Sequence, residues 1–197
     1  VPLLALGAIS PWFAAKGRGR RKRDQVELYR SALYARLTGL PNRALFLDRL
    51  DQAIRDARRY GRRFGLMFID LDGFKTVNDT LGHQAGDEVL VEVAVRLSHC
   101  LRESDTVARM GGDEFTAILP AVDSPISAHR VARKIIEALN QPFHASGHTP
   151  QVGASIGISL YPEDGTELDI LLKKADKAMY QAKKEGKNDY RFYMPEF

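Results

Sequence analysis

Two periods alternate along this chain. Apolar residues recur every three or four positions in some stretches, which read as helices, and form unbroken or alternating runs in others, which read as strands. Leu47, Leu50, Ile54 and Ala57 mark an amphipathic helix over 43–60, and 64–71 is a buried strand that leads into Asp70 and Asp72. A short helix near 76–81 and a loop at 82–86 precede a helix over 87–101, with Val89, Leu90, Val93, Leu97 and Leu101 on one side. A β-hairpin spans 106–119, and the 125–140 helix carries Val131, Ile135, Ile136 and Leu139. A strand at 152–160, a turn at 162–165, a helix over 167–185 and a strand at 190–193 complete the pattern. Upstream, Val26, Tyr29, Leu33 and Leu37 give a weak helical period, ended by Gly39 and Pro41, and Asn42 can cap the next helix. Helices and strands alternate, but the hairpin is antiparallel. The expected fold is therefore α/β (α+β), a mixed central sheet covered by helices.

Composition refines this picture in three places. A length of 197 residues suits one domain with a short appendage. The net charge of +4 resembles a nucleic-acid signal until it is located: Lys16, Arg18, Arg20, Arg21, Lys22 and Arg23 supply six positive charges, and the remainder stands at −2. No base-stacking or groove-reading element accompanies that run, so a nucleic-acid partner is not expected. The single cysteine, Cys100, excludes an intrachain disulfide and a cysteine-rich zinc site. Residues 1–15 are mostly apolar but too short to cross a bilayer, which needs roughly 20 residues. Followed by basic residues, they read as the cytoplasmic end of a truncated membrane helix, or else as a plain basic linker. The chain starts on Val and reads as a fragment, divided into a flank at 1–23, an entering helix at 24–36 and a domain at 37–197. The expected location is cytoplasmic, at the inner face of the cell membrane in the full-length protein.

The chemistry concentrates at Arg109-Met110-Gly111-Gly112-Asp113-Glu114-Phe115. Two apolar runs joined by Gly-Gly form a hairpin because glycine tolerates positive φ at the central turn positions. Asp113 and Glu114 then sit at its tip, and the bare Gly111 and Gly112 let another molecule approach the backbone. Asp70 and Asp72, spaced i, i+2, share one face of their strand where it emerges from the core. Together the two acidic clusters suit a two-metal nucleotidyl-transfer site, since Mg²⁺ takes one or two carboxylates with phosphates and water. Lys75 can meet a phosphate as a point charge. Asn78 and Asp87 carry the groups that guanine requires, an amide and a carboxylate, although Asp87 could equally cap its helix.

With these residues assembled, the chain resembles the GGDEF family, the diguanylate cyclases that condense two GTP into cyclic di-GMP. The motifs are Leu37-Thr38-Gly39-Leu40-Pro41-Asn42-Arg43, the Asp70–Asp87 block, the intact Gly-Gly-Asp-Glu-Phe, Ser155-Ile156-Gly157-Ile158-Ser159, and Ala175-Asp176 with Tyr180-Gln181-Ala182-Lys183, covering about 35–195. The resemblance implies a palm-like fold and a Mg²⁺ or Mn²⁺ cofactor. Asp70, Asp113 and the Leu71 carbonyl would hold the metal, with Glu114 beside it to help activate the ribose 3′-hydroxyl. Asn78 and Asp87 would read guanine; Lys75, Lys183 and Lys187 would hold phosphates near the Phe74 and Lys75 amides. Each monomer would supply half a site, so a homodimer would be needed.

Arg102-Glu103-Ser104-Asp105 stands where the family carries its inhibitory RxxD motif. Arg102 and Asp105 would grip the cyclic di-GMP product there, joined by a basic residue of the 125–140 helix: Arg133, Arg130 or Lys134. Ala35 departs from the family, which usually has Asp at that position, and this bears on regulation more than chemistry. The C-terminal half resembles members that continue into an EAL phosphodiesterase domain. The rival expectation is a catalytically silent module that binds GTP and controls an attached domain.

Overall fold

A computed structural model of the chain describes residues 30–120, 122 and 124–195. The apolar–basic flank at 1–23 and all of the entering helix before Arg30 lie outside the described residues; residues 30–33 are helical. The elements that follow are α1 (Arg43–Tyr60), β1 (Phe64–Asp72), α2 (Phe74–Cys100), β2 (Thr106–Gly111), β3 (Glu114–Leu119), α3 (Pro125–Leu139), β4 (Gly153–Tyr161), α4 (Leu168–Lys184) and β5 (Tyr190–Phe192). Asn42 caps α1 as its position predicts, accepting a hydrogen bond from the Leu45 N–H at 3.1 Å.

The strands form a five-stranded sheet in the order β2-β3-β1-β4-β5. β1 runs antiparallel to both β3 and β4, while β4 and β5 are parallel, so the sheet is mixed as expected. β1 is central and covered on both faces, which explains why its sequence is an apolar run rather than an alternation. Met67, Ile69 and Leu71 point to one face and pack with Val89, Val93 and Leu97 of α2 and Ile135 and Leu139 of α3. Phe64 and Leu66 point to the other, against Phe46, Leu50 and Ile54 of α1 and Leu171 and Ala175 of α4.

The Ser-Ile-Gly-Ile-Ser motif of β4 follows from this two-sided burial. Ile156 and Ile158 fill the α2/α3 side, while Ser155, Gly157 and Ser159 take the alternate positions beneath α4. A Cβ on Gly157 would lie 1.9 Å from the Ala175 carbonyl oxygen and 2.2 Å from the Met179 nitrogen. Ser159 Oγ donates to the Leu171 carbonyl at 2.9 Å. Small residues therefore let the α4 backbone rest directly on the sheet, and this close seat fixes where Lys183 arrives.

One sequence expectation is corrected. The loop at 82–86 is absent: α2 continues to Cys100 with a break at Gly82 alone (φ 85°, ψ 165°). A single glycine in the left-handed region absorbs the change of direction, and Ala85 and Gly86 are small enough to be buried on the next turn. Asp87 thus lies inside a helix, and the capping reading of Asp87 falls. Among the described residues, no helix is long and apolar enough to cross a membrane.

Candidate active site

The alternation that buries Leu66 beneath α1 and α4 also carries Asp70 to that side of the sheet, at the end of β1. Asp70 is 9% exposed and stands opposite Glu114 in the β1–β3 register. The Leu71 N–H donates to the Asp113 carbonyl at 3.3 Å, which extends the ladder into the tip. The tip itself differs from expectation. Gly111 pairs with Glu114, so the two central turn residues are Gly112 and Asp113, and only the first of them takes positive φ (50°). A Cβ at Gly111 or Gly112 would meet nothing within 4 Å, so the tip is open on its outer side.

Arg109 was not singled out among the candidate site residues, yet it braces this tip. Its Nε and a terminal nitrogen both donate to the Gly112 carbonyl, at 3.0 and 2.7 Å. Burial draws the guanidinium's affinity for its proton down, and Asp87 and Asp113 restore part of it. The Arg109 backbone N–H also donates to the Pro41 carbonyl at 2.9 Å, tying the edge strand to the turn before α1. The first contact is local, three residues along the hairpin, and only the second joins distant segments.

The acids at the tip disfavour one another's charge. Burial raises the pKa of Asp70 above its ordinary 3.8, and Asp113 and Asp72 add to that, while Lys183 opposes it. Burial likewise raises Glu114 above 4.5, reinforced by Asp70, Asp113 and Asp176 and opposed by Lys183. Lys183, projecting from the last turn of α4, forms an ion pair with Asp70 at 2.7 Å. This is a cluster with more negative charge than its own cations balance, which favours an added cation. Among the described residues no three acid, histidine or cysteine side chains form a ready metal cage. The donor set nevertheless fits Mg²⁺ or Mn²⁺: it consists of oxygens, and Mg²⁺ characteristically completes its shell with substrate phosphates and water.

Beyond Asp70 the chain turns at Gly73 (φ 84°) into α2, whose first turn has no side-chain cap. The N–H groups of Phe74 and Lys75 stand there, where a helix end favours an anion. The Phe74 ring is buried and Lys75 is exposed. Asn78 and Asp87 lie on the two arms of α2 either side of Gly82, and Asn78 rests on Gly86, where a Cβ would fall 2.0 Å from its Oδ1. Lys187 is exposed in the loop after α4. Asp72 shares a face of β1 with Asp70, as the spacing predicts, and its Oδ2 accepts from Ser155 Oγ at 2.8 Å and from the Asn188 N–H at 2.9 Å.

At the opposite end of the hairpin, Asp105 accepts from the Arg102 backbone N–H at 2.8 Å, and its own N–H donates to the Arg102 carbonyl at 3.0 Å. A pocket of about 100 Å³ there is lined by Arg102, Asp105 and Arg130, with Leu119, Val122, Ser127 and Val131. Arg133 lies outside that lining and pairs with Glu137 at 3.6 Å. Lys134 is directed elsewhere, donating to the His99 and Cys100 carbonyls at 3.0 and 3.1 Å.

Comparison with known proteins bears on the family and the fold. The profile of the family described as "Diguanylate cyclase, GGDEF domain" matches residues 32–189. The bifunctional diguanylate cyclase/cyclic di-GMP phosphodiesterase MucR of Pseudomonas aeruginosa is 49% identical over 171 residues, covering 87% of this chain and 25% of MucR. The diguanylate cyclase TpbB of the same organism is 44% identical over 175 residues, covering 88% of this chain and 40% of TpbB. The chain thus spans between a quarter and two-fifths of these relatives. A truncated form of TpbB comprising only its GGDEF domain superposes with a TM-score of 0.80 at 46% identity, covering 82% of this chain and 94% of that one. The coiled coil and GGDEF domain of DgcB from Caulobacter crescentus, solved with cyclic di-GMP, gives 0.79 at 28% identity, covering 92% and 97%.

Proposed function

Because this chain belongs to the GGDEF family of diguanylate cyclases, we propose that it is itself a nucleotidyltransferase that condenses two GTP into cyclic di-GMP and pyrophosphate. The observation that carries the reading is the set of intact acids at one end of the sheet: Asp70 opposite Glu114, with Asp113 on an open glycine tip. A divalent cation, Mg²⁺ or Mn²⁺, supplies charge neutralisation at the triphosphate and lowers the pKa of a coordinated hydroxyl. Asp70, Asp113 and the Leu71 carbonyl would hold it. Glu114, facing Asp70 across the β1–β3 ladder beside that cation, is suited to help activate the ribose 3′-hydroxyl.

The other groups orient the substrate. The Phe74 and Lys75 amides at the start of α2, with the ammonium groups of Lys75, Lys183 and Lys187, receive the phosphates, and the bare Gly111–Gly112 backbone lets the nucleotide lie close. Asn78 and Asp87 read the guanine edge across the Gly82 break. One chain binds one GTP, so two copies face each other and each 3′-hydroxyl attacks the partner's α-phosphate; catalysis is chiefly positioning and charge stabilisation. Product returns to the Arg102–Asp105 pocket as an inhibitor, and the lining there favours Arg130 over Arg133 as the third basic group. The apolar-then-basic order of residues 1–23 supports a place at the inner face of the cell membrane.

The deciding experiment incubates concentrated protein with GTP and Mg²⁺ and separates products by chromatography, with Glu114→Gln as blank. Cyclic di-GMP from the wild type alone, with specific activity rising as protein concentration rises, is the expected result. GTP binding without product, even with a fused dimeriser, makes the domain a silent GTP-sensing module.

A further inference from the structure

The segment after α4 has an uncommon backbone. Gly186 takes φ 128°, and the next two residues, Lys187 and Asn188, take φ 64° and 48°. Side chains rarely adopt this region, and two in succession persist only where the surroundings over-determine them. Four grips do so here. The Lys187 N–H donates to the Ala182 carbonyl at 3.0 Å, and the Ile156 N–H donates to the Asp189 carbonyl at 2.9 Å. Asn188 Oδ1 accepts from the Ala154 N–H at 3.4 Å and lies over Gly153, where a Cβ would come within 2.9 Å of it. The fourth grip is Asp72, whose Oδ2 receives the Asn188 N–H and Ser155 Oγ together.

Asp72 also ends β1, one residue before the Gly73 turn into α2. It therefore ties the start of α2 to the loop that presents Lys187, and these are the two flanks between which a triphosphate would lie. We propose that Asp72 is a positioning residue for nucleoside-triphosphate binding: through Asn188 it holds Lys187 in its left-handed turn, and it does not ligate the metal. The proposal rests on the cyclase reading above and adds a role for an acid that the strand spacing alone groups with Asp70.

The test compares Asp72→Ala, which removes the acceptor, with Asp72→Asn, which keeps an acceptor oxygen but not the charge. The first readout needs no nucleotide: in Asp72→Ala the Asn188 amide should exchange with deuterium about tenfold faster, the scale of losing one hydrogen bond to a charged acceptor. Unchanged exchange overturns the proposal outright. The second readout is GTP binding and turnover with Mg²⁺. Asp72→Ala should raise KM about tenfold with kcat little changed, Asp72→Asn should recover most of the loss, and in a Lys187→Ala background Asp72→Ala should add little, because residues acting as a unit are not additive. A shifted Mg²⁺ requirement in Asp72→Asn, or a full effect in the Lys187→Ala background, overturns it. Should Asp72→Ala not fold, Gly153→Ala presses on Asn188 from the β4 side and should raise KM in the same way; no change there counts against the proposal. Wild type that fails to bind GTP refutes the cyclase reading, whereas wild type that binds GTP no better than Asp72→Ala refutes this inference alone.

Discussion

The two ends of the β2–β3 hairpin carry opposite electrostatics. At the tip, Asp70, Asp113 and Glu114 crowd together and burial pushes the pKa values of Asp70 and Glu114 up. At the base, about 17 Å away along β3 at the usual rise per residue, Asp105 is satisfied by the backbone of its own turn, and arginines line the pocket beside it. The tip stores unfavourable charge that a cation would relieve. The base is already balanced and presents positive groups to an anion. One short element thus carries a crowded acidic end, where the proposed chemistry would take place, and a balanced end, where the proposed inhibitor would bind.

Mutations should separate these ends. The largest effect is expected from Glu114→Gln: cyclic di-GMP formation should fall by about 10²–10³ or more, the scale of losing one preorganised electrostatic group, with a thermal melt no lower than that of the wild type, since an unfavourable charge is removed. Residual activity near wild type would remove Glu114 from the mechanism. At the other end, Arg102→Ala and Arg130→Ala should each weaken product inhibition by about tenfold or more, as loss of a charge-assisted contact does. Arg133→Ala should leave the inhibition curve in place, so a strong effect there would reverse the assignment between the two arginines. Inhibition curves over a range of added cyclic di-GMP measure all three.

Smaller changes should sharpen the account of the tip. Gly86→Ala would place a methyl 2.0 Å from Asn78 Oδ1. It should weaken GTP binding by about tenfold, the loss expected when a polar group that reads a base is displaced, and reduce discrimination against ITP more than it alters the melt. The smallest effect concerns pH. The folded pKa values of Asp70 and Glu114 lie above their ordinary 3.8 and 4.5, so the folded domain holds protons that the unfolded chain has released. The stability these two groups contribute therefore falls as pH rises from those ordinary values through the raised ones, while cation affinity rises over the same window. Melting curves and Mg²⁺ titrations at stepped pH should slope in opposite directions, and parallel slopes would contradict the crowding of charge at the tip.

Much of the fold was legible because burial leaves a local signature. The apolar run of 64–71 betrays a central strand, and Ser155-Ile156-Gly157-Ile158-Ser159 shows a helix pressed on alternate positions. Gly82 misled because a glycine that ends a helix and one that merely kinks it look alike until Ala85 and Gly86 are seen packed beneath. The acids at 70, 113 and 114 were readable as a cluster from their flanking runs. Asp72 was not separable from Asp70, since its partners lie 83 and 116 residues away. The Arg109 bond to Pro41 escaped selection for the same reason, whereas its bond to the Gly112 carbonyl, three residues on, depends on the shape of the tip.

The seat of α4 on Gly157 bears on how such a domain can be switched. With the Ala175 oxygen and the Met179 nitrogen against bare backbone, that helix has no slack to slide or tilt, and Lys183 travels with it. A regulator that worked by loosening this joint would have to break the core first. In the proposed dimer, control would then pass to the meeting of two finished halves, with the domain a preset die and the cell governing how often it is struck.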